Sequence, residues 1–142
     1  LGRLAKHLRL LGFDAAYQTG ASAEAFFRRS GGDRIALTRI QHLCGRLPQK
    51  RCHFIQADDP DEQVRSVVAA FALDVSDLRP FTRCIRCNRA VENCPRERVH
   101  GRVPDYVWQT QTRFSACPRC GRVFWPGSHT RRYQKKINHW FR

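Results

Sequence analysis

Leu1, Leu4, Leu8 and Leu11 recur at the three-and-four spacing of one helix face, with Arg3, Lys6 and Arg9 turned away from them. The pattern predicts an opening helix that Gly12 ends in a left-handed cap, with Phe13 as the hydrophobic partner of that cap. Phe13 to Tyr17 reads as a short strand. Ser22 to Arg29 reads as a second helix, with Ser22 as N-cap and Gly31–Gly32 as its stop. The apolar run Arg34 to Thr38 suits a buried strand. Residues 40–50 carry no clear period and are read as a short helix and loop. His53 to Gln56 looks like another strand. Asp58, Asp59, Asp61 and Glu62 then lead into a helix from about Asp61 to Leu73, built on Val64, Val67, Val68 and Phe71. Strands alternating with helices predict an α/β domain over residues 1–79 with an open, mostly parallel sheet. Arg79–Pro80 marks its end, because the residue before proline resists helix.

The pattern changes after residue 80. Pro95, Gly101 and Pro104 break up short β-prone pieces around Tyr106–Trp108 and Arg113–Ser115. From Thr130, Tyr133, Ile137, Trp140 and Phe141 return at helical spacing, with Arg131, Arg132, Lys135 and Lys136 on the other faces. The chain therefore reads as a small ribbon over 80–130 and a basic, aromatic C-terminal helix over 131–142.

Two Cys-x-x-Cys pairs, Cys84–Cys87 and Cys117–Cys120, stand 29 residues apart within the ribbon. Two intervening residues let both sulfurs of a tight turn face one cation, and two such turns complete a tetrahedral thiolate site for one structural zinc ion. Asn88 and Gly121, which follow the pairs, accept the left-handed backbone needed to turn away from the metal. A redox Cys-x-x-Cys usually occurs once beside a βαβ pattern, disulfides need an oxidising compartment, and iron–sulfur clusters favour closer runs. Four thiolates leave no open position, so this zinc is expected to hold structure. Cys94 reads as a free thiol, or as a substitute ligand under a different pairing. His42, Cys44, Cys52 and His53 resemble a second metal set on paper but lack a tight knuckle, and they read as buried or partly exposed residues.

Charge sharpens the division. The chain of 142 residues carries a formal net charge of +14, and it contains no Met. Residues 1–79 hold 12 Lys+Arg against 9 Asp+Glu, and residues 80–142 hold 14 against 3, giving +3 and +11. A GC-rich genome would account for a preference for Arg, but codon bias does not explain the shortage of acids after residue 80. A polyanion, RNA or DNA ahead of membrane, is the expected partner of the second half. The longest apolar run, Val67 to Leu73, is far short of a membrane span. No signal peptide is visible, a start at Leu1 reads as a fragment, and free thiolates for zinc point to a reducing, cytoplasmic setting.

Several stretches fall in a recognisable order: Leu1-Gly-Arg-Leu-Ala-Lys-His-Leu-Arg-Leu-Leu-Gly-Phe-Asp14, Ile35-Ala-Leu-Thr-Arg39, Glu62-Gln63-Val64, Arg83-Cys-Ile-Arg-Cys-Asn88, Cys117-Pro-Arg-Cys-Gly121 and Phe124-Trp-Pro-Gly-Ser-His129. Together they resemble the C-terminal RNase domain of the Mut-seven exonuclease family. The resemblance implies a PIN-like sheet with an appended zinc ribbon and a metal-dependent ribonuclease role. Such nucleases gather carboxylates around Mg²⁺ or Mn²⁺ at the C-terminal edge of the sheet. The family's first acidic strand would precede Leu1. Ile40 stands where a second Asp is expected, and it cannot coordinate a cation.

The resemblance leaves Asp14, which matches a family position, and Asp58, Asp59 and Asp61 as candidate catalytic ligands. The Asp58–Glu62 group also suits helix N-capping, and Asp33 reads as a loop acid. The expectation is an RNA-binding protein whose nuclease activity is weak or lost in this form. Arg83, Arg86, Arg89, Arg113, Arg119, Arg122, His129, Arg131, Arg132, Lys135 and Lys136 would meet phosphates, with Trp140 exposed for base stacking and Trp125 packed. The alternatives are a working endoribonuclease whose missing acid lies upstream of Leu1, and a module that docks on ribosomal RNA or another ribonucleoprotein.

Overall fold

A computed structural model of the chain describes residues 1–20, 22–48 and 51–142. It is a mixed α/β structure with two small sheets and two hydrophobic clusters. Helix α1 spans Gly2–Leu10 and buries Leu4, Leu8, Leu10 and, just beyond it, Leu11. Gly12 adopts φ 98, and the Phe13 N–H reaches back to the Leu8 carbonyl at 2.9 Å, closing the helix end as its glycine predicts.

Helix α2 covers Ala23–Arg29, with the Ser22 hydroxyl accepting the Ala25 N–H. Strands β1 (Ala36–Thr38) and β2 (Cys52–Phe54) pair in parallel, with Leu37 opposite His53, and α3 (Gln41–Cys44) lies in the crossover. Residues 49 and 50, at the end of the ambiguous stretch, lie outside the described residues. Helix α4 runs Pro60–Ala70, ending short of Leu73 because Ala72 turns left-handed at φ 47.

The first sheet, among the described residues, has these two strands alone. Phe13–Tyr17 is not a strand. Its backbone groups are taken by side chains instead: the Ala15 N–H by Asn88 Oδ1 and the Ala15 carbonyl by Arg9. Arg9 itself is only 7% exposed, contrary to its expected place on the solvent face.

The second half holds an antiparallel sheet of β3 (Glu92–Cys94), β4 (Phe114–Ala116) and β5 (Val123–Phe124), in that order. Short helices α5 (Arg96–Val99) and α6 (Asp105–Thr110) fill the connection. Tyr106–Trp108 is therefore helical, not extended. Pro104 supplies the preset first turn, and its carbonyl accepts the Val107 and Trp108 N–H groups.

Helix α7 spans Ser128–Trp140 and packs on α4. Its Ile137 and Trp140 join the cluster of Leu4, Leu8, Leu11, Ile55, Val64 and Val67. Trp140 is 2% exposed, so the expectation of an exposed base-stacking residue is wrong. Its helical spacing with Ile137 and Tyr133 is that of a core-facing stripe. Trp125 is partly buried against the second cluster of Val99, Val103, Val107 and Phe114, as expected.

The end of the first half folds back onto Gly12. A Cβ there would stand 2.3 Å from the Arg79 carbonyl oxygen, and φ is already positive. Gly12→Ala is expected to lower stability by more than about 2 kcal/mol, read as a shifted denaturation midpoint. A change within experimental error would contradict this packing.

Candidate metal centre and the dispersed carboxylates

The two cysteine turns are near copies. In the first, the Cys84 N–H donates to the Arg89 carbonyl at 2.8 Å and the Asn88 N–H to the Cys84 carbonyl at 2.8 Å. In the second, the Cys117 N–H donates to the Arg122 carbonyl and the Gly121 N–H to the Cys117 carbonyl, both at 2.9 Å. Asn88 at φ 62 and Gly121 at φ 71 take the left-handed conformation their residue types allow.

The sulfurs of Cys84, Cys87, Cys117 and Cys120 all lie within 4.8 Å of one another. Tetrahedral zinc with bonds of about 2.3 Å separates its sulfurs by about 3.8 Å. The Cys84 and Cys120 sulfurs are 3.8 Å apart. The donor set and its spacing fit a metal ion such as zinc. Cys84 and Cys117 are buried, whereas Cys120 lies at the surface.

The first turn is wired into the first half. Arg9 donates through Nη1 to the carbonyls of Ile85 and Arg86, the two residues between Cys84 and Cys87. Asn88 uses both ends of its amide, accepting from Ala15 N–H and donating to Asp14 at 2.6 Å. Arg83 donates to the Gly12 and Asn88 carbonyls. Arg102 donates to the Gly121 carbonyl and so braces the second turn. Sequence reading missed Arg9, Arg102 and the bridging role of Asn88. The signal for Arg9 was its place inside Leu8-Arg-Leu-Leu11, where every neighbour is buried.

The candidate carboxylates do not converge. Among the described residues, the four cysteines are the one group of His, Cys, Asp or Glu whose ligand atoms come together. Asp14 binds Arg34 at 2.7 Å as well as Asn88. Burial pushes its carboxyl up, but those hydrogen bonds outweigh it and hold the group below its usual range. Asp58 is 91% exposed and pairs with Arg39 at 2.7 Å. Asp59 is the N-cap of α4, accepting from the Asp61 and Glu62 N–H groups. Asp61 accepts from Lys136 at 3.0 and 3.1 Å, fastening α7 to α4.

The second set also comes apart. Cys44 and Cys52 are joined to each other as a disulfide, which excludes both from a metal site with His42 and His53. The His53 Nε2 instead lies 2.6 Å from the Ser66 hydroxyl. Cys94 is free and half-buried against the second cluster.

Of the expected phosphate contacts, Arg86, Arg89, Arg113, Arg119, Arg122, His129, Arg131, Arg132 and Lys135 are exposed. Arg83 and Lys136 are engaged within the protein, and Trp140 is buried. No helix among the described residues is long and apolar enough to cross a membrane.

The family model of the Mut7-C RNase domain matches residues 1–137. The chain belongs to this family. No curated protein and no solved structure matches it. Membership in the Mut7-C family points to nucleic-acid chemistry of the ribonuclease kind, and the cysteine cluster gives this Mut7-C chain a place for a metal.

Two of the four thiols, Cys120 and Cys87, are shifted in opposite directions. Hydrogen bonding from the Arg122 backbone brings Cys120 down to about 7. Desolvation and the neighbouring sulfurs push Cys87 up to about 11. Binding must therefore displace protons. The apparent zinc affinity is expected to fall steeply from pH 8 to pH 6, measured by competition with a chromophoric chelator, and Cys117→Ser should abolish stoichiometric binding. A pH-independent affinity would contradict thiolate ligation.

Proposed function

We propose that this Mut7-C chain is an RNA-binding protein with a PIN-like ribonuclease fold and a structural zinc ribbon, its nuclease activity weak or lost in this form. The observation that carries the reading is the distribution of ion pairs. Among the described residues, Arg34, Arg39, Arg46, Arg51 and Arg65 of the first half pair with its acids. In the second half, Lys136 alone has a carboxylate partner. Arg113, Arg119, Arg122, Arg131, Arg132 and Lys135 are left with counterions that a polyanion would release.

The same ion pairs argue against a loaded catalytic centre. Asp14, Asp58 and Asp61 are each held by a cation or amide, and Asp59 is occupied by capping. We place the action of the protein in the reducing interior of the cell, where four thiolates stay available. The Cys44–Cys52 disulfide is a bond that such a setting disfavours.

One observation favours a second reading, a working metal-dependent endoribonuclease. A groove of about 730 Å³ is lined by Leu1, Leu4, Phe13, Ala15, Ile35 and Leu37, among others, beside β1, which has a strand partner on one side only. A parallel strand contributed by residues before Leu1 would suit this apolar slot. Its C-terminal end would lie at the same end of the sheet as Asp58 and Asp59, where an acid could join them.

Two measurements test the proposal. Binding to single-stranded RNA should weaken with salt, and neutralising Arg131, Arg132 and Lys135 together to Gln should flatten the log–log slope by about 2. A slope unchanged by the triple substitution would remove these residues from the interface. Incubation with RNA and Mn²⁺ should give no cleavage that Asp59→Asn abolishes, since Asn keeps the cap and hence the fold. Cleavage lost in that variant would establish the endoribonuclease instead.

A further inference from the structure

The guanidinium of Arg9 is a cation at every accessible pH, and it lies in the interior at 7% exposure. It donates from Nε to the Ala15 carbonyl at 2.8 Å, and from Nη1 to the carbonyls of Ile85 at 2.9 Å and Arg86 at 3.1 Å. These acceptors satisfy its hydrogen-bonding demand but are neutral. Among the described residues it has no carboxylate within ion-pair distance, unlike Arg34, Arg39 and Arg51 at the surface. The Asp14 carboxylate acts on Arg9 from further off but is itself bonded to Arg34 and Asn88. A buried charge without an ion-pair partner is expensive, because nearby dipoles replace only part of the lost hydration.

The missing anion stands next door. Ile85 and Arg86 are the two residues that the first turn places between Cys84 and Cys87. A divalent ion held by four thiolates carries a net charge of −2. Cys84 and Cys117 are buried, so on their side its field is screened less by salt than at the exposed Cys120. Arg9 grips the loop that wraps the ion, from the side of the first hydrophobic cluster, while Ile85 itself packs on that cluster.

We infer that Arg9 is the counter-charge of the metal–thiolate centre, so that metal loading and the docking of α1 on the first cysteine turn stabilise one another. The metal ion then lets the first half tolerate a buried cation. Arg9 is a positioning residue that touches the turn and not the ion. The inference rests on the metal reading of the four cysteines and is independent of RNA binding.

The test uses the full chain with Arg9→Gln, which keeps hydrogen bonding and removes the charge, and Arg9→Lys, which keeps the charge. Zinc affinity is measured by chelator competition, and thermal melting is recorded with and without zinc. Arg9→Gln is expected to weaken zinc about 10–100-fold, the range for residues that support a metal's ligands, and Arg9→Lys to recover most of that loss. Without zinc, Arg9→Gln should melt no lower than the wild type, since it relieves an uncompensated charge. Equal lowering of both melting temperatures, or an unchanged zinc affinity, would overturn the inference and leave Arg9 as a packing residue.

Changing the centre's own charge gives an independent check. Cys120→His lowers it from −2 to −1, and the factor lost on Arg9→Gln should shrink in that background. An undiminished factor overturns the inference. Should Arg9→Gln fail to fold even with zinc, the Arg9→Lys comparison carries the test, and a loss as large as about 100-fold with the charge retained decides against it. Absence of zinc binding by the wild type would instead sink the metal reading, which separates the two failures.

Discussion

Four sulfurs converging on one point join two hydrophobic cores that have little else in common. Cys84 and Cys87 belong to a turn bolted to α1 by Arg9, Arg83 and Asn88, and so to the larger cluster. Cys117 and Cys120 belong to the hairpin of β4 and β5, whose cluster has only Val99, Val103, Val107 and Phe114 fully inside. A core of four side chains is marginal for a unit of this size. A structural zinc supplies about 10–16 kcal/mol in small metal-dependent folds. A metal held by the four cysteines would therefore decide whether the ribbon has a defined shape.

Charge follows the same division. Acids in the first half are consumed locally, as surface pairs, as the cap of α4, and as the Asp61–Lys136 contact that brings α7 against α4. Exposed pairs of this kind contribute little stability. Their consequence is chemical, because a carboxylate already holding an arginine or lysine is a poor metal ligand. Among the described residues, the cations of the second half other than Lys136 have no such partners. Holding the ribbon in shape would also hold the unneutralised charge it carries in a fixed arrangement, and under the proposed function that would link the metal to recognition of a polyanion.

Features set by neighbours in sequence were legible without the fold. The cap at Gly12, the hydroxyl of Ser22, the strands Ala36–Thr38 and Cys52–Phe54, the capping by Asp59 and the paired cysteine turns all depend on residues a few positions apart. What escaped depends on contacts across the chain. Arg9 looks like a solvent-face cation until the Ile85–Arg86 turn, far along the chain, folds over it. Trp140 looks like a free aromatic until it is found buried in the same cluster as Leu4 and Val64. Phe13–Tyr17 has strand chemistry, but side chains of Arg9 and Asn88 take its backbone groups. Cys44 and Cys52 offer no spacing signal for the bond they share. The four cysteines were the strongest signal because a knuckle is local and its metal chemistry admits few alternatives.

The most direct measurement is amide hydrogen exchange of the metal-loaded protein before and after zinc is stripped by a chelator. The account predicts that stripping zinc abolishes protection across α6 and the β4–β5 hairpin, while the interior of α4 keeps most of its own. Unchanged protection in the hairpin after the metal has been removed would contradict it.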